Sequence, residues 1–169
     1  MRITLYVATS VDGYIAKLNK DSEWVSPVCG ESFNQTIQEY GCIILGSHTY
    51  DQYHEEMYPV KGVLNIVVSS DAKRQSDNPE LVFAHTPHAA IEIAKINGHD
   101  KALLIGGGTI NASFLKENLI DDLIIDIHPL ILGKGIKVFE NIETETALTR
   151  NSVVSMEDDL VQMRFSVNK

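Results

Sequence analysis

Three consecutive glycines at positions 106–108 separate an apolar run, residues 102–105, from a segment with helical periodicity that begins at Thr109 or Ile110. The run predicts a buried strand, and the glycines predict a tight turn in which the backbone can take positive φ. The unpaired N–H groups and the positive dipole end of the helix point into that turn. The pattern therefore indicates an anion site, in particular for phosphate. A tight turn that packs the helix on the sheet and binds nothing is the alternative.

Three other polar segments also follow apolar runs: residues 10–13, 46–49 and 69–74. The segment 46–49 places a second glycine before a predicted helix, for which Ser47 or Thr49 is a possible cap. The segment 69–74 gathers two hydroxyls and two cations in a chain that is otherwise acidic. Ligands of parallel α/β sheets bind beyond the carboxyl ends of the strands, so these segments are predicted to share one rim with the glycines. For 69–74 the alternative is a solvated loop.

The apolar patterns predict strands that alternate with helices, followed by a closing hairpin over residues 147–156 and 159–167. The first helix is predicted over residues 31–40, after a polar loop, 17–28, that contains the single tryptophan, Trp24. This order predicts an α/β fold with a mostly parallel central sheet, helices on both faces and a C-terminal antiparallel hairpin. At 169 residues the chain is predicted to form one domain.

The composition narrows the possible partners. A net charge of −9, with 14 Lys and Arg against 23 Asp and Glu, leaves no basic face for nucleic acid. No apolar run approaches the length of a membrane span, and the N-terminal segment is typical of a strand, not of a signal peptide. Cys29 and Cys42 lack metal-type spacing and the histidines lack partners, so no metal site is predicted. We expect a soluble, cytoplasmic protein that binds a small molecule, without nucleic-acid or membrane partners.

Four short motifs occur in the order and spacing of the dihydrofolate reductase superfamily, which the chain resembles over almost its full length. These motifs are Val11-Asp12-x-x-Ile15-Ala16, Gly46-Ser47-His48-Thr49-Tyr50, Ser69-Ser70 and Ile105-Gly106-Gly107-Gly108. Within the superfamily the chain looks closer to the RibD C-terminal-like proteins, the reductase domain of riboflavin biosynthesis. Two segments carry that closer resemblance: residues 8–16, around Asp12-Gly13, and residues 129–135, which are similar to a Pro-x-x-Leu-Gly-x-Gly motif.

The resemblance implies a dihydrofolate reductase-like domain over residues 1–169 that works as an NADPH-dependent reductase on a small heterocyclic substrate. The expected type is a 5-amino-6-(5-phosphoribosylamino)uracil reductase, and the expected assembly is a homodimer. The resemblance implies four groups of cofactor contacts. The nicotinamide would lie against Ala8, Ile15 and Ala16, and the pyrophosphate and nicotinamide side against Gly106, Gly107, Gly108, Thr109 and Ile110. The other end of the pyrophosphate and the adenosine ribose would lie against Gly46, Ser47, His48 and Thr49, and the 2′-phosphate against Ser69, Ser70, Lys73 and Arg74.

The sequence departs from these relatives at two places. Ser47 stands where dihydrofolate reductases commonly have an arginine for the 2′-phosphate, so the choice between NADPH and NADH is left to Lys73 and Arg74. Riboflavin reductases carry basic residues on the first helix that suit a phosphoribosyl substrate. The matching positions in this chain are Gly30, Asn34 and Ile37, which supply no cation and count against the riboflavin intermediate as substrate.

Three residues are candidates for substrate binding or catalysis. Trp24 is expected near the substrate, or as a hydrophobic plug. Glu31 is a candidate for the helix carboxylate that holds a pterin ring, or for a residue that simply favours the helix dipole. Asp12 is a candidate for substrate contact or proton donation, or for a turn residue before Gly13. The alternative functions are a true dihydrofolate reductase and a nucleotide-binding protein without catalysis.

Overall fold

A computed structural model of the protein describes all 169 residues. The strands are β1 (Arg2–Ser10), β2 (Tyr14–Ala16), β3 (Cys42–Gly46), β4 (Leu64–Val68), β5 (Leu81–Ala84), β6 (Lys101–Leu104), β7 (Asp122–His128), β8 (Ile136–Lys137), β9 (Leu148–Ser155) and β10 (Val161–Val167). The helices are α1 (Pro27–Tyr40), α2 (Ser47–Tyr53), α3 (Pro87–Ile96) and α4 (Gly108–Lys116). No helix is both long enough and apolar enough to cross a membrane.

Eight strands form one sheet in the order β5-β4-β3-β6-β1-β7-β10-β9. The six strands from β5 to β7 are parallel, and β10 and β9 add an antiparallel hairpin at one edge. This architecture confirms the predicted α/β class. Because the connections between parallel strands carry the helices, the carboxyl ends of β1, β3, β4 and β6 open on the same side of the sheet.

The sheet has a hydrophobic core on each face. On one face, Phe114 of α4 and Ala90 and Ala94 of α3 pack in a buried cluster with side chains of β1, β3 and β6. On the other face, Ile37 of α1 and Tyr50 of α2 are buried with residues of the same strands. Covering both faces explains why the central strands are continuously apolar instead of alternating.

Two helix starts differ from the predicted ones. α1 begins at Pro27, not at residue 31, because the Ser26 hydroxyl accepts a hydrogen bond from the Val28 N–H and proline suits the first helical position. Neither Ser47 nor Thr49 caps α2, whose N-cap is Gly46 without any side-chain cap bond. α4 begins at Gly108, one residue before the predicted start.

A small second sheet was not predicted. β2 and β8 pair antiparallel, with Tyr14 opposite Lys137 and Ala16 opposite Ile136. Strands of two and three residues are too short to show a period, so the sequence gives no signal for them. Their position matters, because β2 follows β1 and β8 lies against the start of α4.

We expect Phe114→Ala to be strongly destabilising, because this side chain is fully buried in the α3–α4 core. The free energy of unfolding, measured by urea denaturation, should fall by about 3–5 kcal/mol. Ile96→Ala is the matched control, since Ile96 ends α3 with 82% of its surface exposed, and it should change the value by less than about 0.5 kcal/mol. Equal effects of the two substitutions would contradict this view of the core.

Candidate active site

Two glycine corners are hydrogen-bonded to each other at the carboxyl ends of β3 and β6. The Gly46 N–H donates to the Gly106 carbonyl oxygen at 2.8 Å. The Gly107 N–H donates to the Thr49 hydroxyl oxygen at 2.9 Å. No side chain caps α4, so the N–H groups of its first turn are left for solvent or a ligand. The start of α4 is therefore free of a side-chain cap, and the anion site at this corner stays a prediction.

The glycines also allow backbone segments to pack directly on the turn. A Cβ atom at Gly108 would lie 2.3 Å from the Lys137 carbonyl oxygen, and one at Gly107 would lie 3.2 Å from the Thr49 hydroxyl oxygen. Gly106 has a φ of 98°, which a residue with a side chain rarely adopts. Residues 136–140, which we call the strap, are held there by a bond from the Glu140 N–H to the Gly108 carbonyl at 3.1 Å.

A cavity of about 670 Å³ opens over these corners, and its size suits a small-molecule site. It brings together most of the residues expected to bind a cofactor. Those that line it are Ala8, Ile15, Ala16, Gly46, Ser47, His48, Thr49, Ser69, Ser70, Gly107, Gly108, Thr109 and Ile110. Their contact with a cofactor stays a prediction, but their convergence on one rim follows from the parallel order of β1, β3, β4 and β6.

Gly106, Lys73 and Arg74 do not line the cavity. Gly106 lies behind it, with its carbonyl bound to Gly46. The Arg74 guanidinium donates two hydrogen bonds of 2.6 Å to the Asp51 carboxylate, and this bond is the main cause that raises the pKa of Arg74. Arg74 is thus occupied within the protein, whereas Lys73 is exposed and forms no salt bridge.

Asp12 also lies outside the cavity, where its carboxylate holds a loop together. It accepts hydrogen bonds from the Ser10 hydroxyl at 2.7 Å, the Gly133 N–H at 2.7 Å and the Leu132 N–H at 3.1 Å. The Ser10 bond, followed by the two backbone bonds, lowers the pKa of Asp12. Because these donors fix the ionised carboxylate on residues 132–133, the geometry gives no support to proton donation.

Trp24 and Glu31 are placed beside the cavity without lining it. The Trp24 ring packs edge-on against His128, with 5.1 Å between the ring centroids. Glu31 is exposed on α1, which turns Gly30 and Phe33 toward the cavity instead. Successive helical residues point about 100° apart, so Glu31 cannot share that face.

The far end of the cavity contains residues that sequence reasoning did not select. The additional lining residues there are Tyr6, Lys20, Ser22, Val25, Cys29, Gly30, Phe33, Gln52, Tyr53, Met57 and Tyr58. The strand period could have identified Tyr6, because it shares a face of β1 with Ala8. The others depend on how α1, the loop before it and the segment from the end of α2 to Tyr58 come together over the sheet, for which the sequence carries no pattern.

A buried carboxylate, Asp126, supports the floor of this end. The Tyr6 hydroxyl donates to its Oδ2 at 2.7 Å, the Cys29 thiol donates to the same oxygen at 3.1 Å, and the Gln162 amide donates to Oδ1 at 2.9 Å. Burial raises the pKa of both Tyr6 and Cys29, so both are neutral hydrogen donors near pH 7. Three donors offset the cost of placing Asp126 away from water.

The sequence model of the RibD C-terminal domain matches residues 1–162. The chain belongs to the RibD C-terminal domain family. The resemblance to that family, which the segments at residues 8–16 and 129–135 indicated, is thus confirmed over almost the whole chain.

Comparisons with individual proteins are consistent with membership of this family. The chain is 27% identical over 152 residues to the uncharacterized protein YwjB of Bacillus subtilis, covering 87% of each chain. It superposes on a pyrimidine reductase-like protein from Corynebacterium diphtheriae with a TM-score of 0.78 at 14% identity, covering 99% of this chain and 92% of the other. The diaminohydroxyphosphoribosylaminopyrimidine deaminase/5-amino-6-(5-phosphoribosylamino)uracil reductase of Thermotoga maritima matches with a TM-score of 0.75 at 16% identity, and the 99% of this chain that aligns corresponds to 56% of that protein. At these identities the two solved structures establish the RibD-like fold.

We expect Asp12→Ala to lower the melting temperature at neutral pH and to have little effect in acid. The pKa of Asp12 is lowered in the folded state from 3.8, so its stabilising bonds are present above that value and are lost as the pH falls through the folded pKa. The difference from wild type should be largest above the ordinary value of 3.8 and should shrink progressively as the pH falls below it. Asp77→Ala, at an exposed position, is the control that should show no such pH dependence. A constant difference at all pH values would contradict the view that the ionised Asp12 carboxylate holds this loop together.

Proposed function

We propose that this protein is an NADPH-dependent reductase of the RibD C-terminal type that acts on a small heterocyclic substrate. The family is reductase-like, and the observation that carries the proposal is the single cavity over the two glycine corners. It joins an uncapped helix start, suited to a diphosphate, to an end with aromatic walls, suited to a planar ring.

The residues present fit a dinucleotide. The first-turn N–H groups of α4, from Gly108, Thr109 and Ile110, are the proposed donors to the diphosphate, and no carboxylate lines the cavity to repel it. Ala8, Ile15 and Ala16 offer the small, apolar surface on which a nicotinamide ring would lie. When bound, NADPH supplies the hydride, and the protein contributes alignment and exclusion of water.

The preference for NADPH over NADH is proposed to depend on the end of β4. Ser69 and Ser70 line the cavity there, and the exposed Lys73 follows three residues after Ser70. Arg74 is the weaker candidate for the 2′-phosphate, because its guanidinium is already bound to Asp51 by two hydrogen bonds. A phosphate at this end would meet the two serine hydroxyls, and Lys73 is the proposed cation that would approach it from outside the cavity.

Thermal shift with NADPH and NADH tests the cofactor. We expect NADPH to stabilise the protein by about 2.7 kcal/mol at a hundredfold excess over Kd, and Lys73→Ala to weaken NADPH binding roughly threefold while leaving NADH binding unchanged. Arg74→Ala is the matched control, which should lower the basal melting temperature and keep the nucleotide preference. The absence of stabilisation by either nucleotide would overturn the proposed function.

Oxidation of NADPH followed by absorbance tests the substrate class. The first acceptors are 5-amino-6-(5-phosphoribosylamino)uracil and dihydrofolate. The exposed position of Glu31, outside the cavity, is the reason to expect little turnover of dihydrofolate. Binding of NADPH without oxidation by any heterocycle in a broad panel would favour the nucleotide-binding protein without catalysis.

We also propose that the protein is a homodimer, as its family resemblance implies. Support comes from the edge strand β9, on which Val153 and Val154 are 49% and 50% exposed, an apolar edge that monomers usually protect. Light scattering should give twice the chain mass, and Val153→Lys should shift the protein toward monomer. Ile96→Lys, at an exposed site on α3, should not. A monomeric wild type would refute the proposal.

A further inference from the structure

The cavity has a charge pattern unlike that of the chain as a whole. The sequence contains 23 Asp and Glu, yet none is among the 29 residues that line the cavity. Lys20 is the only Lys or Arg that does so. A cavity with one cation and no carboxylate favours an anionic ligand and disfavours a cationic one.

Lys20 lies at the end of the cavity away from the glycine corners. The Gln52 side-chain amide donates to the Lys20 carbonyl oxygen at 2.9 Å. Beside it, the Ser22 hydroxyl and the Tyr53 hydroxyl are hydrogen-bonded at 2.7 Å. Both bonds attach the loop before α1 to the last turn of α2. The first turn of α2 lies at the glycine corners, where Thr49 is bonded to Gly107. Seven helical residues separate these two ends by about 10 Å.

The turn that carries Lys20 leaves its ammonium group without a partner in the protein. The Lys20 N–H donates to the Lys17 carbonyl at 2.9 Å, and Lys20 has a φ of 71°, which is uncommon for a residue with a side chain. The nearby carboxylate of Asp21 is bound by Lys17 at 2.5 Å. Lys20 forms no salt bridge.

The cavity also has walls that suit a flat, apolar ring. Phe33, Tyr53, Met57 and Val25 line it, and the Tyr53 hydroxyl is bonded to Ser22, two residues after Lys20. The Phe33 ring meets Tyr6 edge-on, with 5.2 Å between centroids, which fixes its orientation. A planar heterocycle would contact these side chains while a substituent at its edge reached Lys20.

We propose that Lys20 determines substrate specificity by binding an anionic substituent, a carboxylate or a phosphate, on a planar heterocyclic substrate. This inference rests on the proposed function and names the substrate class of the same cavity. In this proposal the cation that binds the substrate lies on the loop before α1. The positions on α1 at which the family resemblance implies a cation hold Gly30, Asn34 and Ile37 instead. The anion of the substrate is thus recognised from the loop and not from the helix.

Calorimetric titrations with two matched pairs of pyrimidines test the proposal, in the presence of saturating NADP⁺. Orotate against uracil tests a carboxylate on the ring, and uridine 5′-monophosphate against uridine tests a phosphate on a ribose arm. We expect the wild type to bind at least one anionic member roughly fivefold more tightly than its neutral partner. Lys20→Gln should abolish that preference and leave the affinity for the neutral partner and for NADP⁺ unchanged.

Lys61→Gln is the control, because it removes the same charge at an exposed position outside the cavity. This control variant should keep the preference for the anionic pyrimidine, and added salt should reduce that preference in the wild type.

The pair of pyrimidines that responds to Lys20→Gln identifies the carboxylate or the phosphate as the anion. Equal affinity for both members of each pair, no binding of any pyrimidine, or a preference that survives Lys20→Gln would overturn the proposal. If NADP⁺ does not bind, the proposed function fails, and the same titrations without nucleotide still decide the role of Lys20.

Discussion

The hydrogen bond from the Gly46 N–H to the Gly106 carbonyl is the constraint on which the cavity depends. It joins the ends of β3 and β6 main chain to main chain at 2.8 Å, and it relies on glycine at position 106, where φ is 98°. The bond from Gly107 to the Thr49 hydroxyl continues the same contact into the first turn of α2. Because the two helix starts are held in place by the protein itself, a dinucleotide would not have to order them when it binds. A preformed site of this kind loses less conformational entropy on binding.

The distribution of charge follows a similar logic. The chain carries −9 overall, but none of its carboxylates lines the cavity. Asp51 is bound by Arg74 and Asp21 by Lys17, and Asp126, below the floor, accepts hydrogen bonds from Tyr6, Cys29 and Gln162. Surface charges are screened beyond about 8 Å at physiological ionic strength. The positive groups at the surface of the cavity are therefore the α4 N–H groups and one lysine, and such local groups allow an acidic protein to bind an anion without a basic surface.

The elements of the fold could be predicted from the sequence because each has a local signal. The apolar run at 42–46, the glycines at 106–108 and the alternation of Val161, Met163 and Phe165 are patterns within one element. The cofactor rim followed, since parallel strands place their ends together. The start of α1 at Pro27 and the β2–β8 pair could not be predicted, because they depend on a cap and on contacts between residues far apart in sequence. The same limit applies to the substrate end: Lys20 reaches the cavity only because Gln52 and Tyr53 hold its loop.

The strap packs on bare main chain at both of its ends. Besides the contact at Gly108, a Cβ at Gly135 would lie 2.3 Å from the Ala16 carbonyl oxygen, and the Val138 N–H donates to the Gly13 carbonyl at 3.3 Å. A surface connection usually tolerates changes of length. This one should not, because an inserted or deleted residue would displace the main-chain contacts at both of its ends. Among natural homologues and engineered variants, length variation should therefore accumulate in the hairpin connection at 156–160 and spare residues 135–140. The strap, which contributes Ile136 to the wall of the cavity, is therefore expected to keep a fixed length although most of it resembles a surface loop.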